Sequence, residues 1–217
     1  VDVGSCIACG LCVAACPYDA ITLETVSWNG GPKLAAQVDR NLCMSCGICG
    51  SVCLSSSISI EGYTDASLSE SFVAPKKGAN PAPDSAWRGK TLVIACNWCL
   101  HSAPDIEYAS HPPQGVKVVN VPCAGRVTPA FITTALQRGV DGVLVVGCKE
   151  GECHYKQGNA LAKGRLLALQ NLLDLLGIER ERVQLAWLGS LDRGKFPELV
   201  NKVVGDVRSL GPVMWGE

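Results

Sequence analysis

The sequence carries the spacing C-x2-C-x2-C-x3-C twice, at Cys6, Cys9, Cys12 and Cys16 and again at Cys43, Cys46, Cys49 and Cys53. A hydrophobic core has no use for cysteines at such intervals. Three thiols two residues apart can wrap one corner of an iron–sulfur cube, while the fourth, one helical turn on, points away from it. That fourth thiol needs a second cluster, and the repeat supplies one. The spacing assigns one 4Fe–4S cluster to Cys6, Cys9, Cys12 and Cys53, and another to Cys43, Cys46, Cys49 and Cys16.

Small residues around these cysteines, among them Ala8, Gly10, Ser45 and Gly47, let backbone N–H groups approach cluster sulfurs and so influence reduction potential. Ile7, Leu11 and Ile48 are expected to cover the clusters and restrict water. Apolar alternation at Ala20–Leu23 and Ser57–Ile60 predicts a pair of strands. Residues 1–62 resemble a two-cluster ferredoxin, with Leu54 standing where that pattern has a proline after its fourth cysteine. The resemblance implies a small α+β ferredoxin-like domain.

Composition narrows the remaining classes. Lys and Arg number 19 against 20 Asp and Glu, which favours neither nucleic acid nor a charged membrane surface. Apolar runs are strand-length, far below the ~20 residues of a membrane span. The 13 cysteines are an odd number at ligand spacings with no secretory segment before them, so a reducing cytoplasm is expected and a disulfide framework is not. The chain opens on a strand-like Val1–Val3 and reads as part of a longer fusion.

Residues 63–89 read as a linker, with Pro75–Pro83 polar and broken by proline. Gly89-Lys90-Thr91 is no phosphate loop, because it precedes a strand and lacks the upstream glycine. Over 90–217 the pattern alternates strand and helix. Continuous apolar runs at Thr91–Ala95 and Gly142–Val146, with weaker ones at Val116–Val121 and Val183–Leu188, predict a four-strand parallel sheet covered on both faces. This is an α/β, flavodoxin-like, doubly wound architecture. Thr128 and Pro129 should open a helix burying Phe131, Ile132, Ala135 and Leu136 and ending at Gly139. A leucine-rich helix at Leu161–Leu176 is read as core packing, with a partner helix as the alternative. Pro197 should open a last helix facing inward through Leu199, Val200, Val203, Val204 and Val207.

Five further cysteines fall on this sheet unit. Cys96 and Cys148 end strands, Cys123 follows one, and Cys99 and Cys153 lie in the loops beyond. All five reach the carboxyl edge of the sheet, where open α/β sheets place ligands. Spacing alone admits a metal cluster, a four-thiolate zinc site or a thioredoxin-like pair at Cys96 and Cys99.

Three motifs favour the cluster. Cys96-Asn97-Trp98-Cys99, Pro122–Val127 and Gly147–Tyr155 together resemble the delta subunit of methyl-viologen-reducing hydrogenase, over residues 90–210. The stretch Leu100–Asp105 departs from that family's pattern. The resemblance implies a 2Fe–2S cluster. It also implies electron transfer between a hydrogenase or formate dehydrogenase and the flavoprotein subunit of heterodisulfide reductase. A ferredoxin placed before this domain is similar to the C-terminal part of fused heterodisulfide reductase A-like proteins, including a quinone-linked subunit of sulfate reducers. A 2Fe–2S cluster takes four thiolates, and loop closure weakly favours pairing Cys148 with Cys153, so Cys123 is nominated as the spare thiol beside Cys96, Cys99, Cys148 and Cys153. Trp98 is expected to shield the cluster. Arg126 should offset cluster charge or pair with a neighbouring subunit, and His154 should cap the following helix or bond a cluster sulfur. His101 and His111 read as solvated. No Gly-x-Gly-x-x-Gly fingerprint is present, so the chain is expected to relay electrons without catalysing a reaction. A zinc-stabilised interaction module and a thiol–disulfide enzyme are the alternatives.

Overall fold

The computed structural model describes residues 1–72 and 90–214. Each cysteine frame bends through a loop into one short helix, α1 (Leu11–Ala15) and α2 (Ile48–Ser51). Positive φ falls at matching places, Ala8 and Gly10 in the first frame and Ser45 and Gly47 in the second. The frames are therefore copies in backbone as well as in spacing.

Between them lies an antiparallel hairpin, β1 (Ile21–Trp28) and β2 (Gly31–Val38), with Ile21 opposite Val38 and Trp28 opposite Gly31. Asn29 and Gly30 make the turn with φ of 49° and 82°, the mirror-image turn that matches strand twist. This corrects the expected pairing of Ala20–Leu23 with Ser57–Ile60. The latter is irregular backbone, and its Ser57 carbonyl accepts the Asp2 N–H at 2.7 Å. A two-residue turn closes a pair at a smaller entropic cost than a distant partner. Val1–Val3 is not a strand either: the Asp2 carboxylate accepts from Gly4 N–H at 2.9 Å and from the Ser5 hydroxyl at 2.7 Å, turning the chain at once.

The segment expected to begin a linker instead holds α3 (Asp65–Ser71), capped by Thr64, whose hydroxyl accepts from Ser67 N–H at 3.1 Å. Leu68 and Phe72 pack into the core of the sheet, Phe72 edge-on to Phe131 at 5.4 Å. The Pro75–Pro83 stretch and Gly89 lie outside the described residues.

The sheet has four parallel strands, β3 (Thr91–Cys96), β4 (Val116–Val121), β5 (Gly142–Cys148) and β6 (Val183–Leu188), in the order β4-β3-β5-β6. Both central strands are buried throughout. Leu92, Ile94, Val143 and Val145 face one core, with α5 (Pro129–Gln137) and α6 (Gly158–Leu175); Val93, Ala95, Leu144 and Val146 face the other, with α7 (Phe196–Leu210). Burial on both faces is why these strands read as continuous apolar runs. A fourth helix of this unit, α4 (Ala103–Ser110), packs at the edge through Tyr108 and Ala109.

Helix α5 starts as expected, Thr128 accepting from Phe131 N–H at 3.3 Å, and buries Phe131, Ile132, Ala135 and Leu136. In α7 the buried face is Phe196, Val200, Val203, Val204 and Val207, with Leu199 only partly covered. The leucine stripe of α6 divides. Ala162, Leu166, Leu169 and Leu173 face the core, whereas Leu167, Leu172, Leu175 and Leu176 face outward. Among the described residues, no helix is long and apolar enough to cross a membrane.

Candidate metal centres

All thirteen cysteines are free thiols. They gather into three sets, two in the lobe of cysteine frames and one on the sheet. The first, here the outer set, is Cys6, Cys9, Cys12 and Cys53, which line one apolar cavity together with Ile7, Leu23, Ala36 and Ile58. Cys53 thus joins the first frame across the pseudo-repeat, as the spacing requires. Hydrogen-bond donors converge on its sulfurs. Ala36 N–H holds the Cys6 thiol below its ordinary range. Burial pushes Cys53 up, but the Ser57 and Ser55 hydroxyls, at 3.3 and 3.7 Å, bring it below its ordinary value. Such donors suit anionic sulfur.

The second, inner set is Cys16, Cys43, Cys46 and Cys49. Cys46 and Cys49 feel the charges of Cys16 and Cys43, and burial pushes the Cys49 thiol up to about 12. Ala20 N–H donates to the Cys16 sulfur at 3.4 Å.

The expected cover is uneven. Ile48 is fully buried, but Ile7 is 60% and Leu11 42% exposed. Cys9 is exposed while Cys46, its counterpart, is buried. The sheet lobe makes the difference, because Ile48 and Cys46 pack with Cys123 and Tyr155, and Tyr18, Leu161 and Cys153 border the same apolar cluster. Polar bonds seal this join. Tyr18 Oη donates to the His154 carbonyl at 3.3 Å, Lys156 Nζ to the Pro17 carbonyl at 2.7 Å, and Ser51 Oγ to the Gly125 carbonyl at 2.9 Å.

The edge set comprises the five remaining thiols. Cys96 and Cys148 close β3 and β5, and Cys123 follows β4 at the head of a 3-10 turn, Ala124–Arg126. Four of these sulfurs interact with one another. Cys96 feels both Cys123 and Cys148, and Cys123 feels Cys153, while the Cys96 and Cys148 thiols reach the carbonyls of Pro122 at 3.6 Å and Trp98 at 3.7 Å. The neighbouring thiols hold Cys96 and Cys153 below the ordinary thiol range and push Cys123 and Cys148 above it. Cys99 turns elsewhere: its thiol meets the carbonyls of Cys96 at 3.0 Å and Val146 at 3.6 Å, and burial raises it. The nominated spare, Cys123, thus neighbours Cys96 and Cys153, while Cys99 faces backbone carbonyls. Loop length gave no sign of this, since β4 delivers Cys123 directly beside the central strand.

The edge set fits an anionic group. Backbone N–H groups of Asn159, Tyr155 and Gly158, around the start of α6, approach the Cys153 sulfur and favour its thiolate, and helix N-termini favour negative charge. The Cys123 sulfur lies 2.1 Å from where a Cβ on Gly158 would stand, so this helix approaches the thiols only because that residue is glycine. Among the described residues, no group of three or more His, Cys, Asp or Glu is drawn together around a single ion.

The three other candidate residues take specific places. Trp98, 44% exposed, stacks on His154 at 3.6 Å and 11°, and its Nε1 donates to Tyr155 Oη at 3.0 Å. His154 is not the helix cap, a position Gln157 holds; its backbone N–H approaches the Cys148 sulfur. Arg126 pairs with Asp65 of its own chain. His111 is solvated beside Glu107 at 3.1 Å, and His101 is exposed. Tyr18 and Asp65 were missed from the sequence, and no local pattern singles out either one. Tyr155 lay within a recognised motif, unremarked.

The family model for the methyl-viologen-reducing hydrogenase delta subunit matches residues 91–211, and that for a 4Fe-4S dicluster domain matches residues 5–57. The iron-sulfur D subunit of the F420-non-reducing hydrogenase of Archaeoglobus profundus is 48% identical over 129 residues, which cover 58% of this chain and 93% of that protein. The A subunit of the ferredoxin:CoB-CoM heterodisulfide reductase of Methanosarcina mazei is 32% identical over 124 residues, 56% of this chain but 16% of that protein. With three cysteine motifs at one sheet edge and a match over most of the sheet lobe, the chain belongs to the family of methyl-viologen-reducing hydrogenase delta subunits.

Proposed function

We propose that this chain is an iron–sulfur electron relay of three groups, two 4Fe–4S clusters in a ferredoxin domain of residues 1–62 and one 2Fe–2S cluster in the sheet domain from residue 90. The clusters would supply acceptance and release of single electrons. Cys6, Cys9, Cys12 and Cys53 would hold the outer one, and Cys16, Cys43, Cys46 and Cys49 the inner one. Cys96, Cys123, Cys148 and Cys153 would hold the third, with Cys99 beside it. The partners would be a hydrogenase, formate dehydrogenase or quinone-linked subunit on one side and a flavin-bearing heterodisulfide reductase A-like protein on the other.

One observation carries this reading: inner-set Cys46 and edge-set Cys123 belong to one buried apolar cluster. The chain's own work is to hold three thiol sets in series, exclude water from the middle join and leave the outer end open. Ile48 and Tyr155 exclude the water, and exposed Cys9, Ile7 and Leu11 leave the outer set reachable from solvent. Trp98 and His154, stacked and partly exposed, cover the other end.

Anaerobic metal analysis tests the proposal. About ten irons per chain, four plus four plus two, are expected without stoichiometric zinc. About eight irons and one zinc would move the sheet lobe to the zinc-site alternative.

A further inference from the structure

Arg126 is, with Arg182, among the largest fully buried side chains of the described residues, 1% exposed. Its stem lies across the inner frame. A Cβ on Gly47 would stand 2.8 Å from Arg126 Cδ, and one on Gly50 would stand 3.6 Å from Cζ. Both glycines sit among the inner thiols, Gly47 between Cys46 and Cys49, Gly50 directly after Cys49. From the other side Arg126 belongs to the edge lobe, its N–H bonding the Cys123 carbonyl at 2.9 Å. The side chain thus packs on the inner frame while its backbone belongs to the edge lobe.

Its pairing is incomplete. Nη2 donates to the Tyr63 carbonyl at 3.2 Å and to the carboxylate of Asp65, which is itself 46% exposed. The Phe131 ring lies 5.1 Å from Cζ. Nε and Nη1 are buried and meet no acceptor among the described residues. A buried donor without an acceptor keeps the full cost of losing water, and a buried charge demands compensation. Neutral packing would be the cheaper filler here, so a cation with two spare donors points to negative charge nearby.

Resting on the relay reading above, we propose that Arg126 and Asp65 form an electrostatic tuning pair for the inner 4Fe–4S cluster. The cation favours the reduced, more negative state and raises the reduction potential; the carboxylate opposes it. At the matching position of the outer set no cation packs in this way: a Cβ on Gly10, the counterpart of Gly47, would meet only Leu23 Cδ1 at 3.9 Å among the described residues. Arg126 is a positioning and tuning residue, and no thiol depends on it for a bond to iron.

The experiment is a redox titration of the full chain followed by electron paramagnetic resonance, with the cluster signals assigned through Cys9→Ser and Cys46→Ser. Arg126→Met should disfavour reduction of the inner cluster by about tenfold or more, which is about 59 mV for one electron. Arg126→Lys should restore most of that loss. Asp65→Asn should shift the same potential the opposite way, and the outer potential should stay put in all three. Loosened packing would not shift the potential in opposite directions for the two partners. Shifts of equal sign, or none, with iron content intact would overturn the pair's role. Should Arg126→Met fail to fold, Asp65→Asn decides alone, because Asp65 is half-exposed on a surface helix. If the wild-type chain gives no 4Fe–4S signals, the relay reading itself falls, and the tuning pair with it.

Discussion

The two cysteine frames share one spacing and one backbone, yet they live in different surroundings. Cys9 is exposed and Cys46 buried; Leu11 is 42% exposed and Ile48 fully buried. Gly10 faces a single leucine methyl, whereas Gly47 is pressed against Arg126. The difference owes little to the motif and nearly everything to the sheet lobe, which covers one frame and leaves the other open. An internal repeat has thereby become directional: one end can meet a partner, and the other joins the edge thiols.

Substitutions at matched positions can break this comparison, and the largest effect is expected at the covered hydrophobes. Ile48→Ala should destabilise the chain by about 2–5 kcal/mol, the range for emptying a buried site. Leu11→Ala should cost under about 1 kcal/mol, because its partly exposed side chain leaves no closed cavity. Denaturant unfolding measures both, and equal losses would mean that the frames are covered alike.

The glycines come next. Gly10→Ala and Gly47→Ala both force a side chain into positive φ, at about 1–2 kcal/mol. Gly47→Ala should lose a further ~1–3 kcal/mol by overpacking against Arg126. Thermal melts of the two variants should separate in that order.

The smallest effect sharpens the join itself. Tyr18→Phe removes one bond to the His154 carbonyl and should cost about 0.5–1.5 kcal/mol. Tyr63→Phe, which removes a bond from Asn97 at 3.1 Å on the exposed side, should cost less, as water replaces the lost partner.

Much of this could be read from the residues. The crossing of the last cysteine of each frame to the other set follows from helical geometry, and the helix caps at Thr128 and the burial of β3 and β5 follow from pattern. What failed was long-range. Ala20–Leu23 looked for a partner in Ser57–Ile60 because both alternate, while the Asn29-Gly30 turn that fixes the true register went unweighed. The leucines of α6 were all read inward because a stripe carries no mark of where its core ends. Loop length says little about where Cys123 stands, because its position depends on strand order, which places β4 beside β3. Asp65 lay in a segment read as linker, and its partner is far along the chain.

Cysteine scanning of the edge set refines the ligand choice. Cys99→Ser should keep the 2Fe–2S signal, and Cys123→Ser should lose or shift it, as read by visible absorption and paramagnetic resonance.

That the inner set, and not the outer, adjoins the edge set is tested most directly by the relaxation of the reduced edge-cluster signal. Power-saturation paramagnetic resonance on the full chain, Cys46→Ser and Cys9→Ser would read it, with iron content measured on each. Loss of the inner cluster through Cys46→Ser should slow that relaxation, and loss of the outer one through Cys9→Ser should leave it unchanged. Slowing by Cys9→Ser with Cys46→Ser silent would contradict the order of the three sets.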